Sequence, residues 1–174
     1  MRLEVAMVVD SNSSLPQGDR RLLDSDVAQR LLTSAVPARV GYTAKDGTPR
    51  VVPSWFHWTG DELVMPTFLR APHVARPAAR LAALRANPDV AICIDTESFP
   101  PHVLLARGRA VVTEVDGIAP EYALAAHRYM GDEQATAYLA QADQPGTRMA
   151  RIAVRPAWVG LLDFETRYPG VMAG

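Results

Sequence analysis

The chain has 174 residues, 48% of them hydrophobic, which suits one domain with a sizeable core and excludes a disordered segment. Its 18 basic and 19 acidic residues leave a net charge of −1, which excludes a general nucleic-acid or membrane-surface binder, since either needs a basic excess. The single cysteine, Cys93, lies in the apolar run VAICI and reads as a small buried hydrophobe. It can form no internal disulfide, so a reducing compartment, the cytoplasm, is expected.

Residues 1–23 read as an N-terminal arm. Its apolar patch, Val5 to Val9, is shorter than the ~7–15 residues of a secretory core, and no run in the chain approaches the ~18 apolar residues of a membrane span. The polar, turn-rich DSNSSLPQGD follows; its Asn12-Ser13-Ser14 matches a glycosylation sequon, which matters only in a secreted chain. The main domain is expected over residues 24–166, with a loose tail at 167–174. Asp24-Ser25-Asp26 offers an N-cap to a short amphipathic helix with Val27, Leu31 and Ala35 on one face, ending before Pro37.

The period then changes to two. Val36, Ala38, Val40 and Tyr42 alternate with Arg39 and Gly41, Asp46-Gly47 is a hairpin turn, and a second strand runs from Arg50 to Trp58. Thr59-Gly60-Asp61 makes another tight turn, and Glu62 to Thr67 returns as a third strand, giving an antiparallel meander. Pro53 and Pro66 cannot donate ladder hydrogen bonds, so each marks an edge, a bulge or a strand end. Either they simply protect an edge, or they leave backbone groups free to meet a ligand.

From Leu63 to Pro88 there are four arginines (Arg70, Arg76, Arg80, Arg85), one histidine (His73) and no carboxylate. Pro72 and Pro77 are both good first helical residues; a short turn is expected at Pro72–Arg76 and a helix from Pro77 to about Ala86, with Leu81 and Leu84 inward. Free N–H groups at a helix start, with arginines beside them, suit a phosphate. Arginine is always charged and binds bidentately, whereas an ordinary histidine is only partly protonated at neutral pH. Arg80 is therefore chosen as the phosphate clamp, with Arg76 assisting and His73 as a secondary contact.

Val90–Ile94 is a short buried strand. His102–Thr113 is a long one, apolar on both sides, as a central strand requires. Pro120 opens a helix that Gly131 closes, and Asp132 caps another reaching about Ala142. In the last strand, from Arg148, Ile152, Val154, Trp158, Leu162 and Phe164 share one parity against Arg151 and Arg155. Six mostly antiparallel strands with few inserted helices indicate an α+β protein built on a closed or partly split barrel.

The chemical motifs narrow the field by absence. There is no G-x-G-x-x-G after a strand, no phosphate-binding G-x-x-x-x-G-K-[ST], no H-E-x-x-H, no C-x-x-C and no G-x-S-x-G. The four histidines, His57, His73, His102 and His127, have no paired metal-ligand spacing, so no metal is assigned. In the aromatic block Trp55-Phe56-His57-Trp58, Phe56 and Trp58 read as packing residues, while Trp55 can line a flat ring system.

The hairpin DGTPRVVPSWFHWTGDELVM with the following Thr67, the arginine-rich segment ending LRANPDVAICID, the strand VLLARGRAVV and the ending WVGLLDFE together resemble the pyridoxamine 5'-phosphate oxidase-like split-barrel family, over roughly residues 34–166. The resemblance implies a six-stranded antiparallel split barrel of Greek-key type with peripheral helices, and a homodimer with FMN at the subunit interface. Related branches bind the deazaflavin F420, and a few bind haem, which needs an axial ligand such as histidine. Carried over to this chain, the cofactor meets Arg50, Val51, Val52, Pro53, Ser54 and Trp55 on the second strand, and Met65, Pro66 and Thr67 at the end of the third. The family's phosphate clamp has a lysine that this chain lacks. Counting back from Asn87-Pro88 puts Arg80 in its place, and counting forward from Thr67 puts His73 there.

The expected function is an FMN-dependent oxidoreductase acting on a small molecule, with no general acid or base assigned. An F420-dependent reductase is the close alternative, with Arg70 and Arg76 available to its anionic tail. A non-catalytic flavin or haem binder is a third reading, haem being disfavoured.

Overall fold

The computed structural model describes residues 14–168. The patch Val5–Val9, the first two residues of the sequon and residues 169–174 lie outside the described residues. Residues 14–18 run along the last strand: the Gln17 side chain donates to Leu161 O and accepts from Leu161 N, both at 2.8 Å, and Gly18 N donates to Val159 O. A 3-10 helix, Arg20–Asp24, follows and buries Leu22 and Leu23. Ser25 caps α1 (Asp26–Thr33) by accepting from Ala28 N, and Val27, Ala28, Leu31 and Leu32 turn inward.

The first hairpin forms as its turn chemistry dictates. β1 (Ala38–Thr43) pairs with β2 (Pro49–Ser54), the Asp46 carboxylate accepts from Thr48 N at 3.0 Å, and Gly47 takes φ +81°, a conformation glycine adopts at little cost. The meander expected next does not form. The second strand stops at Ser54, the Phe56 side chain enters the core with no exposed surface, and β3 (His57–Trp58) pairs with β4 (Leu63–Val64) instead of with β1. Pro66 splits the third expected strand in the same way, into β4 and β5 (Thr67–Arg70). Both pieces lie on one edge of β8 (Arg148–Asp163), joined by the Met65 N to Ile152 O hydrogen bond at 2.8 Å. Six expected strands thus become eight, because two are interrupted beside their prolines.

The strand order is β2-β1-β6-β7-β8-β4-β3, with β5 also on β8 and every pairing antiparallel. β6 (Asp89–Asp95) and β7 (His102–Asp116) are central, but only one face of β7 is covered: Leu104, Ala106 and Ala110 are buried, whereas Val111 is 59% exposed. The β7–β8 pairing shifts register at Arg107/Gly108, opposite Pro156 and Trp158. This bulge reverses the parity expected for β8: Ile152 and Val154 point inward before it, and Val159 and Leu161 after it, leaving Trp158 and Leu162 half-buried. Gly108 is required there, since a Cβ would lie 2.6 Å from Arg155 O.

α2 (Arg80–Ala86) starts three residues later than Pro77 and turns Leu81, Ala83 and Leu84 inward. α3 (Pro120–Met130) and α4 (Asp132–Ala142) form a helical hairpin around Gly131, whose φ is +81°. Asp132 is the first residue of α4 and makes no capping hydrogen bond, contrary to expectation. Among the described residues no helix is long and apolar enough to cross a membrane.

Candidate functional site

β2, one end of the strand order, is not hydrogen-bonded to β4 or β5, yet its Val52 and Ser54 line one cavity of about 10 Å³ together with Met65, which lies between β4 and β5. This is the seam where the barrel is split. Val52 and Ser54 of β2 line it on one side, Met65 on the other, with Val40, Tyr42, Val90, Ile152 and Val154 behind. Arg80 reaches the same cavity from the start of α2.

Arg80 is the electrostatic singularity of this seam. It is half-buried, and among the described residues it makes no ion pair or hydrogen bond. Burial pushes its guanidinium pKa down, offset only by the nearby Tyr42 hydroxyl. Most other arginines have carboxylate partners, as in Arg85–Glu114, Arg109–Asp89, Arg148–Asp116 and Arg151–Glu121. The helix behind Arg80 is only seven residues long and begins at Arg80 itself, and Pro72-His73 is a turn rather than a helix start. The cation, not a row of helical N–H groups, is therefore what the seam offers an anion.

The other expected site residues fall into three groups. Val52, Ser54, Met65 and Arg80 meet at the seam, with Pro66 buried and Thr67 half-buried just beyond. Arg50 and Val51 border an open groove of about 580 Å³ shared with Tyr42, Ala91, Arg107 and Ala157, Val51 from the outer face of the sheet; Arg50 is paired with Asp46 at 3.0 Å. Pro53 is exposed beside them. Trp55 and His73 join an aromatic cluster, and Arg76 is exposed without an ion pair among the described residues.

That cluster was not legible as a unit. Trp55 stacks on Tyr129 with ring centroids 5.1 Å apart and planes 4° apart, and lies 6.2 Å from Tyr122. Phe68 meets Tyr122 edge-on at 5.1 Å and His73 at 4.9 Å. Tyr122 and Tyr138 share a hydrogen bond between their hydroxyls at 2.9 Å. Tyr122 and Tyr129 are seven residues apart on α3, two helical turns, so their spacing carried the signal that they share a face.

Charged side chains fasten α3 to the barrel. Arg128 donates to Phe56 O and, at 3.3 Å, to Leu32 O, and its guanidinium lies over the Phe56 ring. Arg151 bridges Glu121 at 2.7 Å and Glu62 at 3.0 Å. Burial raises the Glu121 pKa, but the hydrogen bond and charge of Arg151 hold it below its ordinary value. Burial, then the charge of Arg128, lowers the pKa of His57. Among the described residues no group of three histidine, cysteine or acidic side chains is placed to hold a metal.

Comparison with protein-family models and with curated proteins gives no match. Solved structures do match. One is named F420 reductase, with 25% identity and a TM-score of 0.57, covering 76% of this chain and 94% of that one. A conserved hypothetical protein from Mycobacterium tuberculosis has 14% identity and a TM-score of 0.59, covering 82% and 86%. A pyridoxamine 5'-phosphate oxidase-related, FMN binding protein from Nostoc punctiforme has 14% identity and a TM-score of 0.56, covering 88% and 87%. The antiparallel strand order and the open seam give the chain the split-barrel fold of these structures, the fold that its resemblance to the pyridoxamine 5'-phosphate oxidase-like family implies.

Proposed function

We propose that the chain is an oxidoreductase that binds a flavin-type cofactor, FMN in the first reading, at the seam of the barrel, and acts on a small molecule. The observation that carries this is Arg80: a half-buried guanidinium with no carboxylate partner among the described residues, beside Ser54 and Met65. A cation kept out of water without a partner is costly, and an anionic ligand removes that cost. The seam cavity is too small for a ring system, so Val52, Ser54 and Thr67 would border a ring at its mouth, with Arg80 holding the phosphate. When bound, such a cofactor supplies hydride or electron transfer. The protein's part is to hold the anion, to present a dry apolar edge to the ring and to exclude water.

F420 is the second reading. It is favoured by the 25% identity to a structure named F420 reductase, and by Arg70 and Arg76, which form no ion pair among the described residues. Arg70 lies against Gly146 beside a groove of about 210 Å³ with Pro72 and Pro145, a place for an anionic tail.

The proposal includes a homodimer. Among the described residues the sheet β2-β1-β6-β7 exposes Val51 at 68% and Val111 at 59% on its outer face. A second copy would cover that face. Trp158 of β8 is already overlaid by Gly18 and by Arg107, whose guanidinium lies 4.0 Å from the ring centroid.

The test is the visible spectrum of the purified protein, with the released small molecule identified by mass. A flavin or deazaflavin band with the matching mass supports the reading. A Soret band would replace it with a haem protein.

A further inference from the structure

Aromatic rings usually carry much of a core, but here the interior is aliphatic. Among the described residues, Phe56 is the one aromatic side chain in the buried core. Three of the five tyrosines, Tyr122, Tyr129 and Tyr138, instead gather with Trp55 and Phe68 in one half-buried layer, with His73 exposed at its margin. The layer adjoins the seam by chain continuity: Trp55 follows Ser54, and Phe68 follows Thr67. Tyr129 helps dock α3, stacking on Trp55 and donating its hydroxyl to Val36 O at 3.1 Å, whereas the Tyr122 and Tyr138 hydroxyls bond each other. The buried residues of α3 are Ala125 and Ala126, and Arg128 and Arg151 supply directional ties. Half-buried rings leave apolar surface in contact with water, and rings gathered into one contiguous patch mark a binding surface where single exposed rings do not.

The polar content of the layer is equally particular. Two phenols sharing one hydrogen bond leave a second O–H and unused lone pairs for a ligand. Burial, then the Tyr138 hydroxyl, pushes the Tyr122 pKa up, so this phenol stays a donor throughout the working pH range. Glu121, next to Tyr122, is held by Arg151 at 2.7 Å.

We propose that this wall is a subsite for a flat, uncharged aromatic molecule carrying a carbonyl-type oxygen, its ring against Trp55, Phe68 and Tyr122 and its oxygen on the Tyr122–Tyr138 hydroxyl pair. The reading of this subsite as the substrate's place rests on the cofactor proposal above; the binding itself does not.

The experiment is calorimetric titration of the full, cofactor-free chain with chromone, a flat bicyclic ketone, and with cyclohexanone as the non-aromatic comparison. Tyr122→Leu, Phe68→Leu and Tyr138→Phe are titrated in parallel, and FMN binding is measured on the same samples. Chromone binds the parent and cyclohexanone does not. Tyr122→Leu and Phe68→Leu each weaken chromone by roughly tenfold, and Tyr138→Phe weakens it less. Saturating FMN leaves a chromone site open. Phe68→Leu keeps the test sound if Tyr122→Leu fails to fold. No chromone binding, binding unaltered in both leucine variants, or competitive displacement by FMN overturns the proposal, the last by assigning the wall to the cofactor's own ring. If FMN and F420 both fail to bind while chromone follows the stated pattern, the cofactor reading falls and the aromatic subsite stands.

Discussion

Replacing Arg80 by alanine removes the unpaired cation of the seam and isolates what it contributes to cofactor binding. A hydrogen bond to a charged group contributes roughly 1.5–3 kcal/mol, so FMN affinity is expected to fall about ten- to a hundredfold. His73 is exposed and touches Phe68 edge-on, so His73→Ala is expected to change affinity by no more than about fivefold, the range of an exposed pair. Arg80→Met separates charge from packing, because it keeps an apolar stem beside Leu84 and Val90. The cofactor-free methionine variant should melt no lower than the parent, since the parent leaves a half-buried guanidinium without a partner. The pH dependence discriminates further. Although the Arg80 pKa is lowered by burial, a guanidinium keeps its proton throughout the working range, so clamp affinity should show no break between about pH 6 and 9. A histidine clamp would lose affinity as pH rises through about 6.5. The assay is fluorescence or calorimetric titration at pH 7.5, with melting curves on the same samples. Loss of binding in His73→Ala with full binding in Arg80→Ala would move the clamp to His73.

The other expectations are structural. Gly108→Ala forces a Cβ to within 2.6 Å of Arg155 O and 2.9 Å of Val154 Cγ1, so it should destabilise by roughly 1–3 kcal/mol, lowering the melting temperature by about 2–12 °C. The lowered pKa of Glu121 means that its contribution to stability is fully present above its ordinary value of 4.5 and is lost as pH falls through the folded value. Below about pH 4.5 the parent should therefore lose melting temperature faster than Glu121→Gln; parallel curves would show that the Arg151 pairing contributes nothing. Val51→Asp with Val111→Asp should convert a dimer to a monomer in sedimentation velocity at micromolar concentration, and a dimer that survives both places the interface elsewhere.

Where the signals were local, the sequence led directly to the structure. Ser25 marks the start of α1, Asp46-Gly47 the first hairpin, and Gly131 the break between α3 and α4. The interruptions at Ser54 and Pro66 were marked by prolines, but their outcome depends on β8: Leu63 pairs with Val154 and Thr67 with Ala150, contacts that no local pattern encodes. The β8 parity failed for the same reason, since the bulge opposite Gly108 is decided by the fit between two long strands, although Pro156 sits at the bulge as its signal. Of the residues that the family resemblance and the helix start pointed to, Val52, Ser54, Met65 and Arg80 line one cavity. Tyr122 and Tyr129 arrive from α3, far along the chain, and only the three-dimensional docking of that helix brings them to Trp55.

The central claim, an anionic flavin-type cofactor held at the barrel seam by Arg80, is met most directly by titrating the cofactor-free chain with FMN and with F420 side by side, parent against Arg80→Ala. One of the two is expected to bind the parent with one site per chain and to bind Arg80→Ala about ten- to a hundredfold more weakly. Failure of both cofactors to bind the parent, or equal affinity in parent and variant, would contradict it.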